Sequence, residues 1–119
     1  MADNNGKRIT HGSVDTSAEV SHLTQRVNQV AILNTHASQT LAVRVFTGET
    51  AVAAAAAAAA TPAVALADEV FHIPALAAAS GGLARRVVFK SKRPEFVALS
   101  VIGSGSTTTY VVEGTESFD

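Results

Sequence analysis

Cysteine and tryptophan are absent from the 119 residues, and tyrosine occurs once. Without thiols the chain forms no disulfide and offers no thiolate nucleophile or Cys-ligated metal site. The lack of disulfides fits production inside a cell. A surplus of charge of either sign is also missing: the net charge is −1, so no overall field draws the chain to nucleic acid or to a membrane surface. Strongly apolar runs are lacking too. The start, MADNNGKRITHGS, has no apolar stretch after its basic residues, so a secretory signal is not expected. Residues 51–67 are nearly all alanine, contain one leucine and are interrupted by Thr61-Pro62. A membrane span needs about 20 strongly apolar residues, so no membrane partner is expected.

What remains is one domain's worth of chain, since domains centre near roughly 100–150 residues. The hydrophobic fraction of 47% owes much to alanine, so the usable core rests on Val, Ile, Leu and Phe. At about 25 cal/mol per Å2 of buried apolar area, an alanine-heavy core stabilises less than that fraction suggests. Such a chain stands to gain from burial against a neighbour.

Residues 1–22 are polar, without sustained apolar periodicity, and read as an extended N-terminal arm, disordered alone or ordered against a partner. The body is expected over 23–115, with 51–67 as an alanine-rich insertion and 116–119 as a tail. VNQVAILN (27–34) is rich in β-branched residues and reads as a strand, and Asn34-Thr35-His36-Ala37-Ser38 supplies turn chemistry. From Leu41 to Phe46 the apolar pattern alternates, as a half-buried strand requires. These two runs are expected to pair as an antiparallel hairpin.

Alanine has the highest intrinsic helix propensity, which favours a short helix over Ala53–Ala60. The run lacks a polar face and a clear N-cap, however, and isolated helices below about 12–15 residues are marginal. A helix and a smooth loop covering one end of a sheet both stay open. Further strands are read at EVFHI (69–73), RRVVFK (85–90), FVALSVI (96–102) and TTTYVVE (107–113). Between them come turns at Ser80-Gly81-Gly82 and Ser91-Lys92-Arg93-Pro94, then a hairpin-type loop at Gly103-Ser104-Gly105-Ser106. FVALSVI, the most apolar strand, is expected at the centre. Short strands with turns between them, and no long amphipathic helix, point to an all-β fold. The expected form is a small antiparallel sandwich or barrel of about six to seven strands.

No reactive constellation stands out. His11, His22, His36 and His72 are the only imidazoles, none spaced for a common helix face. Gly103-Ser104-Gly105-Ser106 leads into a strand, so it is neither a nucleophile elbow nor a phosphate cradle, both of which lead into a helix. Glu95 and Glu113 read as ordinary solvated charges. No cofactor, no metal and no catalytic residue is expected. The one local concentration of chemistry is basic: Arg85, Arg86, Lys90, Lys92 and Arg93. Three readings compete for it. It is a solvated edge strand whose cations deter edge-to-edge pairing, a patch complementary to an acidic partner surface, or a nucleic-acid contact. The last is the least favoured, because it would usually want a broader positive field and exposed aromatics.

The runs NQVAILNTHASQTLAVRVF, VFHIPAL and ARRVVFKSKRPEFVALSVIGSGSTTTYVVEGT resemble, in style, the small β-sandwich accessory proteins of tailed-bacteriophage virions. The likeness spans roughly residues 27–115 and lies in short Val-rich strands, Ala/Gly/Ser/Thr linkers and an Asn-Thr turn between the first two strands. It implies a non-enzymatic virion structural protein, made in the host cytoplasm and carried on the capsid. The role implied is capsid decoration (cement), with a head–tail junction or tail role as the alternative. The implied partners are the major capsid protein or other virion subunits, together with further copies of the chain as a homo-oligomer. From a different class, a small carbohydrate- or peptide-binding sandwich module is the runner-up, poorly equipped for sugars by its single tyrosine.

Overall fold

The structure is a computed structural model and describes residues 8–64, 70–76 and 84–116. In chain order it comprises β1 (Arg8–Val14), β2 (Glu19–His22), β3 (Val27–Asn34), β4 (Leu41–Gly48), α1 (Ala51–Ala60), β5 (Phe71–Ile73), β6 (Arg85–Gly103) and β7 (Thr108–Thr115). The seven strands join as one antiparallel sheet that does not close, so the all-β architecture expected from the strand rhythm is present.

The fold turns on β6. It has 19 residues, and at about 3.3 Å per residue a straight strand of that length would run roughly 60 Å. The longest dimension of the molecule is 37 Å. β6 must therefore bend, and its pairings show where. Arg85 to Glu95 pairs with β3, whereas Phe96 to Gly103 pairs with β4 and Ala98 to Val101 also pairs with β2. The strand order is thus β1-β7-β3-β6 in one half and β2-β6-β4-β5 in the other. Between Val27↔Glu95 and Gln29↔Lys90 the register slips, so residues 91–94 bulge out of the ladder. A bulge bends a strand and lets it pass from one layer to another. It also accommodates Pro94, which has no N–H to give a ladder. The segment expected as a basic turn is therefore a bulge within one continuous strand, and the side chain of Asn28 holds it by donating to the carbonyls of Ser91 and Lys92 at 3.4 and 3.3 Å.

Side chains from both halves meet in one core. Val30 and Ile32 of β3, Val88 of β6, and Tyr110 and Val112 of β7 face Leu41 and Val43 of β4, Ile73 of β5, and Val97, Leu99 and Val101 of β6. The alternation of β7 is strict: Thr108, Tyr110, Val112 and Gly114 are buried, with half-buried residues between them. FVALSVI is central, as expected, flanked on both sides by β4 and β2.

Three local expectations are corrected. β3 and β4 do not form a hairpin, because β6 lies between them, and the connection 35–40 crosses from one half to the other. Gly103-Ser104-Gly105-Ser106 is likewise a crossing, from the β4-paired end of β6 to β7, which pairs with β1 and β3. The N-terminal arm, in its described residues 8–22, is built into its own chain: β1 pairs with β7 from Arg8↔Gly114 to Val14↔Thr108, and β2 pairs with β6. The polar look of the arm misleads because only alternate residues of an outer strand turn inward. Here Val14 and Ser21 are buried, among the described side chains of the two strands.

The alanine block resolves as α1, a helix. Thr50 is its N-cap, its hydroxyl accepting from the Ala53 N–H at 3.0 Å. Ala54 and Ala58, one turn apart, are fully buried against Ala98, with Phe46 and Phe96 packed around them. Side chains this small let the helix lie close to the strands, and that tertiary contact holds a ten-residue helix that would be marginal alone. β5 takes Phe71–Ile73 of the expected 69–73 strand, with Val70 a bend ahead of it, and ends before Pro74. Glu69 and the turn at Ser80-Gly81-Gly82 lie outside the described residues.

Candidate functional site

The five basic residues do not form one patch. Arg85 sits on the outer side of the β6–β3–β7 layer, where its Nε and Nη2 both donate to Glu113 Oε1 at 3.2 and 3.1 Å. With the arginine side chain 45% exposed, this ion pair is worth about 0–1 kcal/mol. Arg86 turns the other way: its guanidinium lies 4.9 Å over the Phe71 ring, and Nη1 reaches the His72 carbonyl at 3.4 Å. It thereby links β6 to β5 across the mouth between the two halves. Both arginines are engaged inside their own chain.

Lys90, Lys92 and Arg93 are different. All three are exposed at the bulge, and among the described residues their side chains have neither an ion pair nor a hydrogen bond. Arg93 is held through its backbone, whose N–H donates to Ser91 Oγ at 3.2 Å. Nearby, Arg26 stacks 4.8 Å over Phe96. Glu95 is opposite Val27 and Glu113 opposite Ala31, on the two different sides of β3, so the two carboxylates are not brought together.

The histidines scatter. His11 is in β1, His22 and His72 are exposed on β2 and β5, and His36 lies in the β3–β4 crossing, with Nδ1 accepting from the N–H groups of Ser38 and Gln39 at 3.0 Å each. Among the described residues no cluster of three His, Asp or Glu side chains is arranged to hold a metal ion, and no helix is long and apolar enough to cross a membrane. An open hollow of about 140 Å3 is lined by Ser13, Val14, Asp15, Glu19 and Thr107. Asp15 Oδ1 there accepts from the Ser17 N–H at 2.7 Å, a local turn bond.

The polar residues that are buried serve the scaffold. Ser100 Oγ accepts from the Ala63 N–H at 2.8 Å, tying the segment after α1 to β6. Asn34 is fully buried and bonded to three backbone groups. Tyr110 is buried too, and burial pushes its hydroxyl above the ordinary phenol range, partly offset by a hydrogen bond with Ser21 and reinforced by the charge of Glu19. The single tyrosine is therefore spent in the core, and Phe46, Phe71, Phe89 and Phe96 are half-buried against it or against α1. None of these roles was visible in local pattern, because Ser and Asn at strand positions read as solvent-facing until the opposing element is known.

The arrangement offers an open strand edge beside a group of unengaged cations. Among the described residues Arg85–Lys90 is paired with β3 on one side only. No family model matches the chain, and neither a curated protein nor a solved structure matches it.

Proposed function

We propose that this chain is a non-enzymatic structural subunit of a bacteriophage virion, a capsid decoration protein that docks on neighbouring capsid subunits and acts in several copies. The observation that carries the docking reading is the exposed end of β6: a strand edge free on one side, ending in Lys90, Lys92 and Arg93 with no internal partner among the described residues. Cations held by a rigid sheet and left unneutralised contribute little to their own fold. They are placed to meet a complementary charge on another surface, where they steer association and set register. The virion assignment adds to this the resemblance in strand style described above. Its mechanism is mechanical. A stable contact should bury at least ~1,000 Å2 in total, and repetition over a lattice multiplies modest contacts into particle stability.

The test is occupancy of particles. Virions from a host carrying this gene are purified on a density gradient and probed for the chain by mass spectrometry. Co-sedimentation in a fixed ratio to the major capsid protein is the expected result. A chain confined to the soluble lysate overturns the assignment, as does turnover of a substrate by the purified protein.

A further inference from the structure

We propose that the N-terminal half of β6 takes up an extended, acidic segment of a partner protein as an added strand. This rests on the docking reading above and names the chemistry of what docks.

Two observations point the same way. The first is the direction of the backbone. The Asn34 N–H donates to the Ala84 carbonyl at 2.9 Å, so Ala84 faces β3. In an antiparallel ladder the residues alternate, so Arg86 also faces β3, while the N–H and C=O groups of Arg85 and Val87 point to the open edge. The register Leu33↔Arg85, Ile32↔Arg86, Ala31↔Val87 agrees with that alternation. Val87, 40% exposed, offers an apolar side chain beside those groups, which have no ladder partner among the described residues. Arg85 to Lys90 is about 20 Å of edge, room for a strand of roughly six residues. The slip at Val88, between Val30↔Phe89 and Ala31↔Val87, gives this edge a kink that a partner strand must follow.

The second observation is charge. Arg85 and Arg86 are satisfied within the chain, by Glu113 and by Phe71 with the His72 carbonyl. Lys90, Lys92 and Arg93 are not satisfied among the described residues, and Glu95 offsets only one of the three. The occupant must therefore bring carboxylates to the bulge end of the edge.

The same charges decide against two other occupants. A second copy pairing its own β6 edge here would set Lys and Arg against Lys and Arg, and like charges facing each other across strands are destabilising. Basic residues on an edge thus reject self-pairing while admitting an acidic strand, which is specificity by charge sign. A single-stranded nucleic acid would want a wider positive groove with aromatic platforms. Phe89 and Phe96 are half-buried, and Phe96 is already covered by Arg26. Strand addition draws its affinity from main-chain hydrogen bonds and its selectivity from side chains, which matches what this edge presents.

The experiment is a titration of the isotope-labelled full chain, followed by backbone amide shifts. The probe is a capped hexapeptide alternating Glu and Val. The comparators are the same peptide with Lys for Glu, and an oligothymidylate of six nucleotides. The expected result is saturable shifts confined to residues 85–93 with the Glu peptide alone, weakened at least tenfold in the triple variant Lys90→Glu, Lys92→Glu, Arg93→Glu. Val87→Pro removes an edge-facing N–H while leaving the β3 ladder intact, and is expected to abolish the shifts. Should that variant fail to fold, the exposed charge reversals decide. Absence of shifts, or equal shifts with the Lys peptide, overturns the proposal, and binding of the oligonucleotide alone replaces it with a nucleic-acid contact. Particles that retain the chain while the Glu peptide leaves 85–93 unshifted overturn this inference alone. A chain absent from particles yet shifted by the peptide supports the edge site and sinks the virion assignment.

Discussion

The side-chain amide of Asn34 donates to the carbonyl oxygen of Pro74 at 3.0 Å, joining positions 40 residues apart in the chain. The same amide nitrogen donates to the Gln39 carbonyl at 2.8 Å, and Oδ1 accepts from the His36 N–H at 2.8 Å. One fully buried side chain thus fixes the β3–β4 crossing and the end of β5 against each other. Asn34→Asp keeps the shape but turns a nitrogen that serves two carbonyls into an oxygen that repels them. We expect a loss of about 3 kcal/mol or more in urea denaturation, since a buried polar group left unpaired costs roughly 1–3 kcal/mol and a charged one more. A variant as stable as the parent would remove Asn34 from this role.

Gly48 and Gly114 separate two kinds of close approach. A Cβ on Gly48 would meet the backbone nitrogen of Ala54 at 2.6 Å, where α1 begins beside β4. On Gly114 it would meet Leu23 Cδ1 at 2.5 Å, the end of a flexible side chain. Backbone does not move aside as a leucine tip does. Gly48→Ala should therefore cost about 1–3 kcal/mol, in the range for overpacking, and Gly114→Ala distinctly less. Equal losses in thermal melts of the two variants would contradict this.

Tyr110 makes stability pH-dependent at the alkaline end. Its ordinary value is 10.0 and burial raises it in the folded chain. Below pH 10 both folded and unfolded forms keep the proton, and the contribution of this group is fully present. Above it the unfolded chain releases the proton first, so stability falls as pH rises towards the folded value. Tyr110→Phe should be less steep over that window, even if its stability at pH 7 is lower. Parallel pH profiles for the two proteins would count against a buried, neutral Tyr110.

Deleting residues 1–22 should unfold the chain. The deletion takes away β1 and β2, and with them Val14, which is 2% exposed. Burying one such side chain contributes about 1.5–3 kcal/mol. It also bares the outer edge of β7 and one edge of β6 along their whole pairings. Loss of a cooperative melt, followed by circular dichroism, is the expected outcome. A truncated chain that melts like the parent would restore the arm.

Capping of α1 is a smaller test of the same kind. Thr50→Ala removes the acceptor for the Ala53 N–H and should cost about 0.5–2 kcal/mol. A variant whose urea midpoint is unchanged would show that packing on Ala98 alone suffices.

Much of the fold was legible because strand periodicity is a local property. The alternation into Tyr110 and Val112 shows which residues turn inward without reference to any partner, and the apolar runs at 27–34 and 96–102 mark strands, the second buried on both faces from Val97 to Val101. Illegible residues were those whose role depends on the opposing element. Thr50 reads as loop until α1 forms after it, and Asn34 reads as a turn residue until Pro74 arrives beneath it. The basic residues show the same limit. Their sequence cluster is real, yet Arg85 and Arg86 are spent on Glu113 and Phe71, which lie 28 and 15 positions away (113 − 85 and 86 − 71), leaving Lys90, Lys92 and Arg93 as the open charge among the described residues.

The amino-acid sequence alone determined that this chain is a small β protein without cysteine chemistry, because composition and a two-residue apolar period act through neighbours along the chain. Only the tertiary structure decided which strand lies beside which. Pairing is set by how the whole apolar set closes into one core. A bulge at 91–94 lets a single strand serve both halves, and so separates β3 from the β4 that follows it.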